Sequence, residues 1–209
     1  MDAEKYGHTY EHMKARGFEL GARLPISWKS VSLTLKHAAD RLYDLYYDAT
    51  LRHVSRVLEE ADKGGLIEGS RTLEGRELED HRDGQLISAY LLLIGYAIEN
   101  LLKAILMIQH PEYFKPDSKL TDIRSHDLAG LCNRCGIAVQ DQATLLEKLT
   151  SYIEWQGKYP IPLVSDEMWP KRQPDGTWKT GGEAFHGRKT QQEVDSLYTR
   201  IWNELERIK

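Results

Sequence analysis

Glu99 and Lys103 stand four residues apart in a stretch, Gln85 to Gln109, that is otherwise almost wholly apolar. On a helix the two share one face, and in this order the exposed pair is favourable by a few tenths of a kcal/mol. Apolar neighbours would bury it here, and buried charge needs a reason: a structural ion pair facing another helix end, or the floor of a polar cleft. Ser125-His126-Asp127 sets an imidazole beside a carboxylate at a helix start. Such a pairing can move protons. The same residues can serve as a cap, with Ser125 or Asp127 accepting backbone N–H groups. Cys132-Asn133-Arg134-Cys135, with His126 upstream, offers three metal-capable side chains, one short of a closed zinc site. Leu128, Leu131, Cys132 and Cys135 recur at helical steps, so both thiols fall on the buried face of a short helix, where cysteine behaves as a small hydrophobe. Core packing is the stronger reading, and no metal or cofactor is expected.

These groups need elements to hold them. From Val31 to Ala61 the apolar positions Leu35, Ala38, Ala39, Leu42, Tyr46, Ala49 and Val57 follow the helical period, and Lys63-Gly64-Gly65 ends the run. Residues 64–84 carry five glycines and no sustained period, which reads as a mobile connection. Gln85 to Gln109 would make a helix about 37 Å long and apolar on nearly every side, hence the central helix of the core. Ser88, Gly95, Glu99 and Lys103, at steps of seven, four and four, draw one narrow polar stripe on it, with Asn100 alongside. A short helix from Ser125-His126-Asp127 to Cys135 is stopped by Gly136, and another runs from about Gln140 to Gln156. Val194, Leu197, Tyr198, Ile201, Leu205 and Ile208 stripe a closing helix.

Between the last two helices, residues 158–188 change character, with Pro160, Pro162, Pro170 and Pro174 and the turn pair Asp175-Gly176. We read this as an irregular arm able to hold a hairpin around Pro174-Asp175-Gly176. Lys171, Arg172, Lys179, Arg188 and Lys189 interleave there with Trp169, Trp178 and Phe185. Cations alternating with stacking surfaces suit single-stranded RNA. The other reading has the tryptophans pinning the arm to the bundle or to a second subunit. The expected fold is all-α: an up-and-down bundle of four long helices plus a short one, forming one domain over residues 1–209 with residues 1–30 as an N-terminal extension.

Composition narrows the setting. The 209 residues hold 28 Lys plus Arg against 32 Asp plus Glu, a net charge of -4, so no overall positive field draws the chain to nucleic acid or an anionic membrane. Any such contact must be local. Two cysteines cannot build a disulfide framework, and Met1 to Tyr10 lacks the apolar core of a signal peptide, so a cytoplasmic setting is expected. Glu99 and Lys103 sit within the most apolar stretch, where mid-span charge is costly, and a membrane-crossing role is not expected.

Ala97-Ile98-Glu99-Asn100-Leu101-Leu102-Lys103-Ala104-Ile105-Leu106, followed by Ser125-His126-Asp127-Leu128 with Leu131 and then Trp155-Gln156-Gly157-Lys158-Tyr159-Pro160, resembles the helical HEPN superfamily of prokaryotic proteins. The resemblance covers about residues 85 to 162. It implies a helical bundle that dimerises, with links to RNA cleavage, nucleotide binding, toxin and antitoxin pairs, and defence against phage. On this basis His126 would accept a proton, oriented by Asp127, while Lys158 or Lys103 faced the charge developing on a phosphate. Glu99, Asn100, Lys103, Tyr159, Arg172 and Trp178 would contact the substrate. A second copy of the chain, RNA or a nucleotide, and a cognate antitoxin or nucleotidyltransferase are the partners it suggests. A non-catalytic dimeric scaffold is the alternative. Active members carry Arg, four to six residues, then His. In this chain only Arg76 and His81 have that spacing, which chance supplies about one to two times at this Arg and His content. Lys158-Tyr159-Pro160 stands where relatives often show Arg-Tyr-Pro, and lysine lacks arginine's planar fork for phosphate.

Overall fold

The computed structural model describes residues 13, 21, 24–63, 73–114, 125–156, 171–172, 178–179 and 187–208. The fold is all-α, and its first helix, α1 (Pro25–Asp62), starts earlier than the apolar spacing suggested. Pro25 explains the start, because at the first helical position a proline gives up an N–H that has no partner anyway. A short helix α2 (Gly75–Gly84) leads into the central α3 (Leu86–Gln109). Then follow α4 (Leu128–Arg134), α5 (Ala143–Ser151) and the closing α6 (Arg188–Arg207).

Helix α3 is the core. From Ala97 to Met107 every residue but Asn100 is buried. Helix α1 runs antiparallel along it, since Ser32 Oγ donates to the Ala97 carbonyl at 2.7 Å while the rings of Tyr43 and Tyr90 lie 5.0 Å apart further on. Helix α6 lies antiparallel to α1 in turn. Lys29 pairs with Glu206, Ser32 Oγ meets Tyr198 Oη at 3.1 Å, and Lys36 Nζ lies 3.0 Å from Asp195. The apolar stripe of α6 is buried through Val194, Leu197, Tyr198, Ile201 and Leu205. Arg200 fastens the turn before α5 to α6, reaching the Ala138 carbonyl at 2.9 Å and both carboxylate oxygens of Asp141.

Two local expectations need correction. The stretch 64–84 is not wholly irregular, because its last ten residues form α2. What α2 buries is a carboxylate: Asp80 receives Arg52 Nε at 2.8 Å and Arg56 Nη1 at 2.6 Å from α1. A hydrophobic period cannot reveal a helix whose buried contact is ionic. The helix expected over Gln140 to Gln156 is three pieces: a 3-10 turn Gln140–Gln142, α5, and a π-helical turn Tyr152–Gln156. That π turn sets Ile153 against α3 at Gly95, where an added Cβ would lie 2.8 Å from Ile153 Cγ1. Gly95 thus allows the close approach.

In the arm, Lys171–Arg172 pairs antiparallel with Trp178–Lys179, in the register Lys171↔Lys179 and Arg172↔Trp178. This short ladder brackets Pro174-Asp175-Gly176, the expected turn, which itself lies outside the described residues. Among the described residues one helical stretch, Gly75–Gln109, is long and apolar enough to cross a membrane, and 72% of its most apolar window is buried within the bundle.

Candidate functional site

Each member of the polar stripe on α3 meets a different neighbour. Ser88 hydrogen-bonds Tyr152, whose phenol burial pushes above its ordinary range. Gly95 receives Ile153. Glu99 and Lys103, only 5% and 6% exposed, are the charged members. Lys103 Nζ donates to Glu99 Oε1 and lies 5.7 Å from the centre of the Trp28 ring on α1. The other carboxylate oxygen, Oε2, lies 2.9 Å from His126 Nδ1. Tyr96 presents its ring roughly edge-on to the imidazole, with centroids 6.3 Å apart. The His126 side chain is 41% exposed, so this line of contacts begins in the core and ends at the surface.

A carboxylate without a proton can only accept, so Nδ1 must carry the hydrogen that bridges to Glu99. In the neutral ring that leaves Nε2 as an acceptor. Among the described residues Nε2 has no hydrogen-bond partner. Fixing one ring nitrogen so that the other is presented outward is how a positioned carboxylate prepares a histidine for proton transfer.

The segment bearing His126 is pinned from both sides. Asp127 caps α4 by accepting the Gly130 N–H at 2.9 Å, and its own N–H donates to Ser125 Oγ at 3.0 Å. The next N–H, of Leu128, donates to Thr150 Oγ1 on α5 at 3.2 Å. Gly130 is part of the cap, since a Cβ there would lie 2.4 Å from Asp127 Oδ2. The expectation that Asp127 orients His126 therefore changes: Asp127 holds the backbone, and Glu99 holds the ring. Asn100 is also committed locally, its Nδ2 donating to the Tyr96 carbonyl at 2.7 Å.

The remaining sequence candidates fall elsewhere. Lys158 and Tyr159 lie outside the described residues. Arg172 and Trp178 are register partners in the arm's ladder. Arg76 and His81 are both on α2, five residues apart and so about 140° around the helix from one another. They do not share a face. Cys132 and Cys135 are buried, burial pushes both thiols up to about 12, and Cys135 Sγ donates to the Leu102 carbonyl. At neutral pH they are thiols, not thiolates, as core packing requires. No group of three or more His, Cys, Asp or Glu suited to a metal ion occurs among the described residues.

Sequence reasoning missed Trp28 and Thr150, which reach the site from α1 and α5. No local pattern points to either. Gly130, three residues after a capping Asp, did carry a readable signal. Compared with known proteins, the chain matches no family model, no curated protein and no solved structure.

Proposed function

We propose that this protein is a HEPN-like, homodimeric cytoplasmic component of a prokaryotic stress, defence or toxin–antitoxin system that binds RNA or nucleotides and cleaves RNA by proton transfer at His126. The observation that carries the reading is the 2.9 Å contact between Glu99 Oε2 and His126 Nδ1, with Lys103 on the other carboxylate oxygen and the imidazole at the surface. Nε2 takes the proton of a ribose 2'-hydroxyl as its oxygen bonds to the adjacent phosphorus, the bond from phosphorus to the 5'-oxygen breaks, and the departing 5'-oxygen takes a proton from solvent water. General-base help of this kind is worth about 10²–10⁴-fold in rate.

The test incubates labelled RNA with the wild-type protein, His126→Ala and Glu99→Gln, each with and without a chelator. Cleavage should persist in the chelator and fall by about 10²-fold or more in His126→Ala. Intact RNA at high protein concentration under every condition would remove the ribonuclease reading.

A second reading, a non-catalytic dimeric scaffold, draws support from Leu51, Val54 and Leu58. They stand at i, i+3 and i+7 on α1 and are 48%, 47% and 60% exposed. An exposed apolar row of this kind suits a second copy or a partner helix. Light scattering of the wild type and of Leu58→Glu tests it: a dimer that the charge converts to monomer supports the row as an interface, and a monomeric wild type excludes it.

A further inference from the structure

Every large hydrophobic side chain exposed among the described residues, Met13 apart, belongs to α1 or to its cap Leu24. Leu24, Val31 and Leu45 fall at multiples of seven residues and are 49%, 48% and 48% exposed, and the partly buried Ala38 fills the gap in their row. Val31, Ala38 and Leu45 each precede a residue that packs into the core: Ser32, Ala39 and Tyr46. The row therefore lies about 100° round α1 from its buried face. Helix α6 covers the opposite flank, through Lys29 and Lys36. On a helix whose packing is complete, such flank positions are polar or charged. Here they are Leu, Val, Ala and Leu. With the partly buried Leu35 and Leu42 they run Val31, Leu35, Ala38, Leu42, Leu45, in steps of four, three, four and three. That is the spacing by which one helix seats against another in a coiled coil.

Charge picks the occupant. Arg41 and Asp48 border the row, three residues after Ala38 and Leu45. Both are exposed, and neither forms an ion pair among the described residues. Two turns of helix, about 10 Å, separate them, so they cannot pair with each other. A second copy running antiparallel brings Arg41 of each chain to Asp48 of the other, and a single two-fold axis makes both pairs at once. We infer that this flank of α1 is the homodimer seam, packed antiparallel about a two-fold axis between Arg41 and Asp48. The inference rests on the homodimer in the reading above and gives it a surface. Leu51, Val54 and Leu58 form a separate row, at least about 120° round α1 from this one. Trp28, one turn before Val31, lies against Lys103, so the seam starts close to the candidate site.

The test weighs the full chain by light scattering over a dilution series at low ionic strength. It compares the wild type, Leu45→Glu, Arg41→Asp, Asp48→Arg and the double reversal of Arg41→Asp with Asp48→Arg. The wild type is expected to be a dimer and Leu45→Glu a monomer. Each single reversal sets like charges together twice and should raise the dimer Kd about tenfold or more, while the double reversal should return it close to the wild-type value. Arg41 and Asp48 are exposed, so their variants keep the fold and carry the test even if Leu45→Glu does not fold. A monomeric wild type, a folded Leu45→Glu that stays dimeric, or a double reversal no tighter than the singles overturns the inference. The two readings fail separately. RNA left intact by a dimer that Leu45→Glu dissociates removes the ribonuclease and keeps the seam, whereas RNA cleaved by a dimer that survives Leu45→Glu removes the seam and keeps the ribonuclease.

Discussion

Asp80 and Glu99 are both buried carboxylates held by basic side chains, yet they end in different chemistry. Asp80, its side chain 1% exposed, receives Arg52 and Arg56 and has Arg76 Nε 3.6 Å away. Hydrogen bonds from Arg56, the larger contributor, and from Arg52 hold its carboxyl below the usual carboxylate range. Arginine does not give up its proton, so every partner of Asp80 is a fixed charge and the cluster can only clasp α2 to α1. Glu99 has one buried lysine, Lys103, and one histidine that is partly at the surface. An imidazole can pass a proton where a guanidinium cannot, so this second cluster has an outlet that the first lacks. Burying a carboxylate thus does not mark a site by itself; the chemistry of its outermost partner does.

The largest expected effect comes from removing the inner carboxylate. Glu99→Leu strands the Lys103 ammonium in the core and should cost about 3–5 kcal/mol in denaturant unfolding, while pairing it with Lys103→Met should recover most of that loss. Recovery of stability without recovery of any His126-dependent activity would separate the structural from the chemical task of the pair. If the single variant were as stable as wild type, the pair would not be buried in solution.

Asp80→Asn should be milder, because Arg52 and Arg56 are 36% and 30% exposed and can turn to water once the carboxylate is gone. Its pH dependence has a defined sign. A carboxyl held below its unfolded pKa of about 3.9 adds stability that is fully present above that value and is lost as pH falls through the lower folded pKa. Unfolding curves of wild type and Asp80→Asn should therefore differ at pH 6 and converge as the pH drops below about 4. A constant gap down to the lowest pH reached would show that the charge of Asp80 is not what clasps α2.

These clusters also explain why some of the molecule was readable in its sequence and some was not. Helix α6 follows from its apolar period and α3 from being apolar on nearly every side, because most of what each buries is apolar. The stop at Gly136 was readable too, since its φ of +71° is a conformation that glycine enters without strain. Helix α2 was hidden because its buried contact is an aspartate that looks like surface residue in a sequence. The π turn at Tyr152–Gln156 was hidden because it answers to Gly95 across the core, and a single chain segment does not contain that neighbour. At the site, the i, i+4 spacing of Glu99 and Lys103 forecast a shared face and burial. The roles of Asp127 and Glu99 were exchanged, because adjacency in sequence favoured Asp127 while the fold turned its carboxylate back onto Gly130.

A smaller effect is expected at that cap. Gly130→Ala forces a Cβ against Asp127 and should cost about 1 kcal/mol, the usual value of a lost N-cap. Because His126 adjoins the cap, the His126 ring signals should broaden in this variant while the Asp80 clasp, on other helices, keeps its acid transition. Unchanged His126 signals would mean that the Glu99 contact alone holds the ring.

The claim on which the chemistry at the site depends is that Glu99 fixes His126 with its hydrogen on Nδ1 and its lone pair on Nε2. The ¹⁵N spectrum of the ligand-free wild-type protein at pH 8 reads this out directly. A proton-bearing shift at Nδ1 with a bare-nitrogen shift at Nε2 is the predicted result; the reverse assignment, or two averaged signals from a ring exchanging freely between tautomers, would contradict it.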